Sequence, residues 1–256
     1  MSINRFIPQW ILISYIQKQF YIVKPKLLYM EKETGWEQFK GKETPSTVQI
    51  HELFYKKVHE GSKVLDFGCA WGRIAFQLQK RGYRVTGFDI NANAVDDALK
   101  TAKKTNLEHE KKVKFHTANA TELPYLDESF DACIVQAFLT TITSPDDRIK
   151  VLSEAYRVLK DDGILYLADF GQNWKNPYYG DRYKRDYPVT GEKGTFIVTD
   201  DSKNCCKELF IAHHYTREEL FNLVKPKFKI ENFHETMFTT FHGNKTKGYI
   251  IIARKE

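Results

Sequence analysis

Two hydrophobic periods alternate along this chain. Residues 63–67, Lys-Val-Leu-Asp-Phe, form a short run of β-formers bounded by Gly61 and Gly68, the pattern of a buried strand. Residues 73–80 carry apolar side chains at helical spacing, and Gly82 stops them. Residues 83–90 predict a second strand ending in Asp89, residues 91–103 an Ala-rich helix with Asn91 as N-cap, and residues 113–117 a third strand. A fourth strand is predicted over 129–136. The stretch 146–160 predicts a helix with Ile149, Leu152, Tyr156 and Leu159 in one stripe, and 164–170 a fifth strand. A helix over 47–59 precedes the first strand. A helix opened by Thr216, with early acids, and strands over 228–233 and 248–253 close the chain. Strand and helix in repeated alternation predict an α/β fold whose parallel sheet is wound on both faces.

More than forty residues separate the fifth strand from Thr216, far beyond an ordinary connection. This segment, 171–214, is rich in tyrosine and basic residues, and its latter part, 194–199 and 208–212, predicts a hairpin. An insertion at this point lies beside the carboxyl edge of the sheet, so it is expected to cover a substrate. Tyr178, Tyr179, Tyr183 and His214 are its candidate substrate residues, because aromatic walls with a few cations suit a small planar or anionic acceptor.

The candidate chemistry begins after the first strand. Gly68 and Gly72 bracket a loop between strand and helix, where a ligand can approach a backbone without side chains. The helix behind it offers free N–H donors to an anionic group. Asp89 stands at the tip of the second strand, 17 residues after Gly72. A carboxylate there can accept both hydrogen bonds of a ribose diol, which points to a nucleoside-containing cofactor. The dinucleotide fingerprint Gly-x-Gly-x-x-Gly is absent. Instead Asp66-Phe-Gly-Cys-Ala-Trp-Gly72 resembles motif I of the class I S-adenosylmethionine (SAM) dependent methyltransferases, of the type 11-like group. Its common form is Asp/Glu-x-Gly-x-Gly-x-Gly, so Ala70 replaces the middle glycine. Ser129-Phe-Asp entering a strand, and a turn at 159–163 similar to Leu-Lys-Pro-Gly-Gly, extend the resemblance over residues 47–170. Residues 215–256 match in pattern only.

The resemblance implies a Rossmann-like, doubly wound, mostly parallel seven-stranded sheet carrying the inserted hairpin and cover. It implies SAM as cofactor. Asp66, Gly68, Cys69, Ala70 and Gly72 would flank its amino-acid part, and Asp89 with Ile90 its ribose. Asn119 and Ala120 stand where the family places an Asp-Ala pair against adenine; an amide oxygen can accept the same hydrogen bond without charge assistance. Gln136, at the carboxyl end of the fourth strand, would lie near the sulfonium. The implied activity is transfer of the SAM methyl group to a small-molecule acceptor. A base is needed only if the acceptor atom carries a proton, so no catalytic residue is named. The competing readings are a protein or nucleic-acid methyltransferase, which would show a basic stripe or an added substrate domain, and a non-catalytic SAM-fold module, which would have lost the cofactor residues.

Composition narrows this further. Net charge is +6, but no block of five like charges appears, so nucleic acid is not an expected partner. The cysteines, Cys69, Cys133, Cys205 and Cys206, form no Cys-x-x-Cys pair, so no metal site is expected and a reducing, cytoplasmic compartment is. Residues 1–45 read as an N-terminal helical arm or lid ahead of a methyltransferase domain over 46–256. Within that arm, residues 1–30 are aromatic and basic, with an apolar run too short to span a bilayer. The readings left open for them are a helix docked on the domain, self-association into a homodimer, and contact with a membrane surface. Three short matches are set aside. Tyr156-x-x-x-Lys160 is the spacing of short-chain dehydrogenases, but Tyr156 falls on its helix's apolar stripe. Asn176-Pro-Tyr-Tyr179 resembles a base-methylating motif but follows the wrong strand, and reads as a proline-containing loop. Of the neighbouring His213 and His214, strand geometry turns at most one toward a pocket.

Overall fold

The computed structural model describes residues 49–105, 112–200, 207–239 and 245–256. The N-terminal arm, together with Cys205 and Cys206, lies outside the described residues.

The strands are β1 (Lys63–Phe67), β2 (Arg84–Asp89), β3 (Val113–Thr117), β4 (Phe130–Gln136), β5 (Leu159–Phe170), β6 (Thr195–Asp200), β7 (Lys207–His213), β8 (Phe228–Thr239) and β9 (Lys245–Lys255). The helices are α1 (Glu52–Lys57), α2 (Arg73–Gln79), α3 (Ala92–Lys104), α4 (Pro145–Val158), α5 (Pro177–Thr190) and α6 (Arg217–Val224). Seven strands form one sheet in the order β3-β2-β1-β4-β5-β9-β8. β1 to β5 are mutually parallel, and β9 runs antiparallel to both β5 and β8. The chain starts at β1, winds outward to β3, then returns to β4 on the other side of β1. The crevice outside the carboxyl ends of β1 and β4 is therefore the topological switch point, where ligands of open α/β sheets bind.

Burial explains why the parallel strands read as nearly continuous apolar runs. Val64, Leu65, Ala132, Cys133, Ile134, Val135, Leu165 and Leu167 are all fully covered, because helices lie on both faces. Phe54 of α1 and Ala75 and Leu78 of α2 fill one face; Val151, Leu152 and Ala155 of α4 and Leu220 of α6 fill the other. Caps stand where the sequence placed them. Asn91 accepts from Ala94 N at the start of α3, and Thr216 with Glu219 forms a capping box on α6.

Several boundaries differ from expectation. The helix predicted over 146–160 ends at Val158, because Leu159 already belongs to β5. Ile149 is exposed and lies off the buried stripe, which Arg148 occupies instead. Residues 176–179 are not a loop. Asn176 caps α5 by accepting from Tyr178 N at 3.0 Å, and Pro177 takes the first helical position, where its missing N–H costs nothing. The helix buries Tyr179, Tyr183 and Asp186, and Gly191 (φ 69°) ends it in the left-handed region. The hairpin β6–β7 forms as expected. Its Ile197 N–H donates to the Asp186 carboxylate at 2.9 Å, which fastens it to α5. The two ends of the insertion meet in a bridge between Gly171 and Tyr215.

Candidate functional site

The loop after β1 is built from left-handed residues. Gly68 (φ 65°), Ala70 (φ 45°) and Gly72 (φ 87°) all have positive φ. Ala70 thus accepts, at the position where the family pattern has glycine, a conformation that strains an L-residue by about 1–2 kcal/mol. Cys69 N donates to Phe88 O at 2.9 Å, and the Cys69 thiol turns inward against Gly87. The loop glycines also answer to the protein itself. A β-carbon on Gly68 would stand 2.4 Å from Phe138 Cδ2, and one on Gly72 2.8 Å from both Phe115 and Phe76.

Beneath the loop lies Asp66, 1% exposed, with its Oδ2 atom buried and without a partner. Burial raises its pKa from 3.8 to about 7, although Arg73 pulls the other way. Asp89 is oriented at the end of β2. Its Oδ2 accepts from Ala70 N and its Oδ1 from Asn91 N, each at 2.9 Å. Ala70's backbone therefore ties the glycine loop to the acid the sequence singled out. Ile90 beside it is 43% exposed, an apolar side chain left open at the crevice.

Asn119 and Ala120 follow β3 on the same edge. The Asn119 side-chain oxygen already accepts from Thr121 N at 3.0 Å and Thr121 Oγ1 at 2.9 Å, so it presents chiefly its amide donor. Ala120 is buried. The loop beyond is held by Arg157 of α4, which donates to the carbonyls of Tyr125 (2.7 Å) and Leu123 (3.1 Å) and is itself held by Glu154. Gln136 is buried at the end of β4, next to Ala137, a second non-glycine residue at positive φ (49°). Asp169 of β5 is fully buried, raised to about 7 by desolvation, and accepts from Thr140 N (3.0 Å) and Phe170 N (2.8 Å).

The candidate substrate residues do not share one surface. Tyr179, Tyr183 and His214 pack with Phe196 inside the insertion, and Tyr183 Oη lies 2.7 Å from His214 Nδ1. Burial drives the His214 pKa down to about 3, so its ring is neutral. Tyr178 is 42% exposed, beneath the guanidinium of Arg182. His213 faces the opposite way and is also buried. Its Nδ1 meets Thr195 Oγ1 at 2.7 Å and Glu192 at 3.1 Å. Glu192 forms a two-pronged pair with Arg148 of α4 (2.6 and 2.9 Å), which pins the insertion to the main sheet domain.

Sequence reasoning missed three of these residues. Arg148 and Asp169 were detectable as charges on buried stripes, where a charge needs a partner. Arg157 carries no such mark, because only folding shows that it lies under 123–125; the sequence does place Phe138 at the carboxyl end of the fourth strand, where ligands bind, but only folding lays it on the glycine loop.

A ligand bearing an ammonium group and a ribose diol would find a matching set here: the partnerless Asp66 oxygen, the aligned Asp89 carboxylate and the open Ile90 surface. Comparison with known proteins bears on which ligand that is. Residues 65–167 match a family model described as a methyltransferase domain. A crystal structure of a SAM-dependent methyltransferase from Methanosarcina mazei is 38% identical, with TM-score 0.77, over 81% of this chain and 99% of that one. The methyltransferase GfsG of Streptomyces halstedii is 38% identical over 124 residues, 48% of this chain and 42% of that protein. The ubiquinone/menaquinone biosynthesis C-methyltransferase UbiE of Bdellovibrio bacteriovorus is 29% identical over 181 residues, 63% of this chain and 74% of that one. Against the first curated relatives the chain spans less than half their length, 42–49%.

Proposed function

The chain belongs to the class I SAM-dependent methyltransferases, whose cofactor is SAM, and from that premise we propose that it methylates a small-molecule acceptor. One observation carries the reading furthest. The Asp89 carboxylate is held by two backbone donors at the switch point, beside a buried carboxylate oxygen on Asp66 that nothing in the protein satisfies. A decayed fold would have no reason to keep that oxygen dry and unpaired, a cost of about 1–3 kcal/mol.

On this reading Asp66 accepts from the cofactor's ammonium and Asp89 from its ribose hydroxyls. Ile90 and Ala120 border the adenine, and Asn119 offers its amide donor to a ring nitrogen. The backbone of Gly68, Cys69, Ala70 and Gly72 borders the amino-acid part, and Gln136 faces the reacting centre. Bound SAM supplies a methyl carbon on a positively charged sulfur: the acceptor's lone pair forms the new bond, the S–CH3 electrons stay on sulfur, and neutral S-adenosylhomocysteine leaves. The protein has no new charge on sulfur to stabilise, so it contributes by orienting and by excluding water. The insertion 171–214, anchored by Arg148 and Glu192, covers the acceptor. Relatives named for quinone and natural-product methylation support a small organic acceptor. Among the described residues no helix is long and apolar enough to cross a membrane.

The test is incubation of the full chain with methyl-labelled SAM and a metabolite extract, followed by chromatography. Label in a small-molecule fraction is expected. Label confined to protein or nucleic acid, or no transfer at all, overturns the reading.

A further inference from the structure

We infer that Phe138 reads the positive charge of the cofactor: its ring attracts the sulfonium through cation–π contact and thereby separates SAM from its uncharged product. The inference deepens the methyl-transfer reading and rests on it.

The ring's place comes first. With Phe138 Cδ2 2.4 Å and Cε2 2.9 Å from an ideal Gly68 β-carbon, the ring edge lies on the α-carbon of the first loop glycine. That puts an aromatic side chain from the end of β4 across the switch-point crevice, onto the loop at the end of β1. Any ligand laid along the glycine loop with its reacting centre toward β4 passes this ring.

The place is also held. Ala137 N donates to Ala168 O at 2.7 Å while its own φ is 49°, so the chain turns sharply before Phe138. The Phe138 carbonyl accepts from Thr141 N (2.9 Å) and Thr141 Oγ1 (2.7 Å). Asp169 takes Thr140 N, and the Tyr215 hydroxyl donates to Leu139 O at 2.7 Å. A strained residue kept in place by bonds from β5 and from the end of the insertion marks a position that the fold over-determines. Leu139 and Thr140 are buried, whereas Phe138 is only half-buried, which leaves part of its ring for a ligand. Phe67 meets that ring edge-on, with centroids 6.0 Å apart at 69°.

The chemistry follows from charge. SAM and S-adenosylhomocysteine differ at the sulfur by one methyl group and one positive charge. An aromatic face discriminates them, since it attracts a cation and is indifferent to a thioether. A ring that only packs the loop would favour both ligands equally.

Calorimetric titration of SAM and of S-adenosylhomocysteine separates the two roles. Phe138→Leu should weaken SAM by about three- to thirty-fold, and the product by less than about two-fold. Phe138→Tyr should keep the ratio of the two affinities. Replacing Phe138 with pentafluorophenylalanine keeps the shape and reverses the ring's quadrupole, so it should reproduce the leucine result even if the leucine variant fails to fold. An equal loss for both ligands, or none for either, overturns the inference while leaving methyl transfer intact. Wild-type protein that binds neither ligand overturns the methyl-transfer reading, and this inference with it.

Discussion

Replacing Asp66 with asparagine should change how the stability of the ligand-free protein depends on pH. The carboxyl lies at the end of β1, paired in register between Gly87 of β2 and Ile134 of β4, and is 1% exposed. Its pKa is raised from 3.8 to about 7, by burial first, against the pull of Arg73 and with the push of Asp89. A raised folded pKa means that the native state holds the proton more tightly than the unfolded chain. The associated stability is present below pH 4 and is lost as pH rises through 7. Three pKa units amount to about 4 kcal/mol at the top of that window. Asparagine cannot ionise, so the variant avoids this loss. Its added N–H donor has no partner, but that cost is the same at every pH. The gap in Tm between variant and wild type should therefore widen from pH 4 to pH 8.5, by about 8–16 °C for a domain of this size. Thermal melts followed by circular dichroism across that range measure it. On the proposed reading SAM should show the opposite demand, because its ammonium would pair with the ionised Asp66 carboxylate. Wild-type affinity should fall about ten-fold per pH unit below 7, and the asparagine variant should lose that slope. A Tm gap that stays constant with pH, or a SAM affinity in wild type that does not fall in acid, refutes the reasoning.

Asp89→Ala should weaken SAM binding by about 1.5–3 kcal/mol, the worth of hydrogen bonds to a charged group, and unchanged affinity by calorimetry in a folded variant would remove Asp89 from the site. Ala70→Gly should raise stability by up to about 1 kcal/mol, since relief of the left-handed strain outweighs the added freedom of the unfolded chain; a lower midpoint in urea would show that the φ of 45° costs nothing. Glu192→Gln leaves the buried Arg148 guanidinium without its counter-charge and should cost about 3 kcal/mol. Glu192 is held well below the ordinary carboxylate range by its bonds to His213 and Arg148. The wild-type advantage should thus persist above pH 5 and vanish only in acid, and an equal midpoint for both proteins at pH 7 would contradict the pairing.

The local sequence was enough for the parts of this protein whose cause is local. Strands buried on both faces must be apolar, so β1, β4 and β5 stood out as runs. Left-handed turns favour glycine, so Gly68 and Gly72 marked the loop. Caps need short polar side chains, so Asn91 and Thr216 announced their helices. The acid at the tip of β2 followed from spacing alone. Helix α5 escaped because its buried residues are tyrosines and an aspartate, which no hydrophobic period detects; they are inside because a second small core forms between α5 and the hairpin. For the same reason Tyr179, Tyr183 and His214, read from composition as an acceptor's walls, lie packed against one another. Asn119 kept its position but spent its oxygen on Thr121. Tertiary structure alone decided which charges are paired: Arg148 with Glu192 across 44 positions, Asp169 with the turn after β4, while the Oδ2 atom of Asp66 is left without a hydrogen-bond partner. It alone laid Phe138 on Gly68. A residue's intrinsic preferences act over a few neighbours and are written in the sequence. Burial and desolvation are set by what the folded chain brings against it from far away, and those are the quantities that fix a pKa, a partner or an open face.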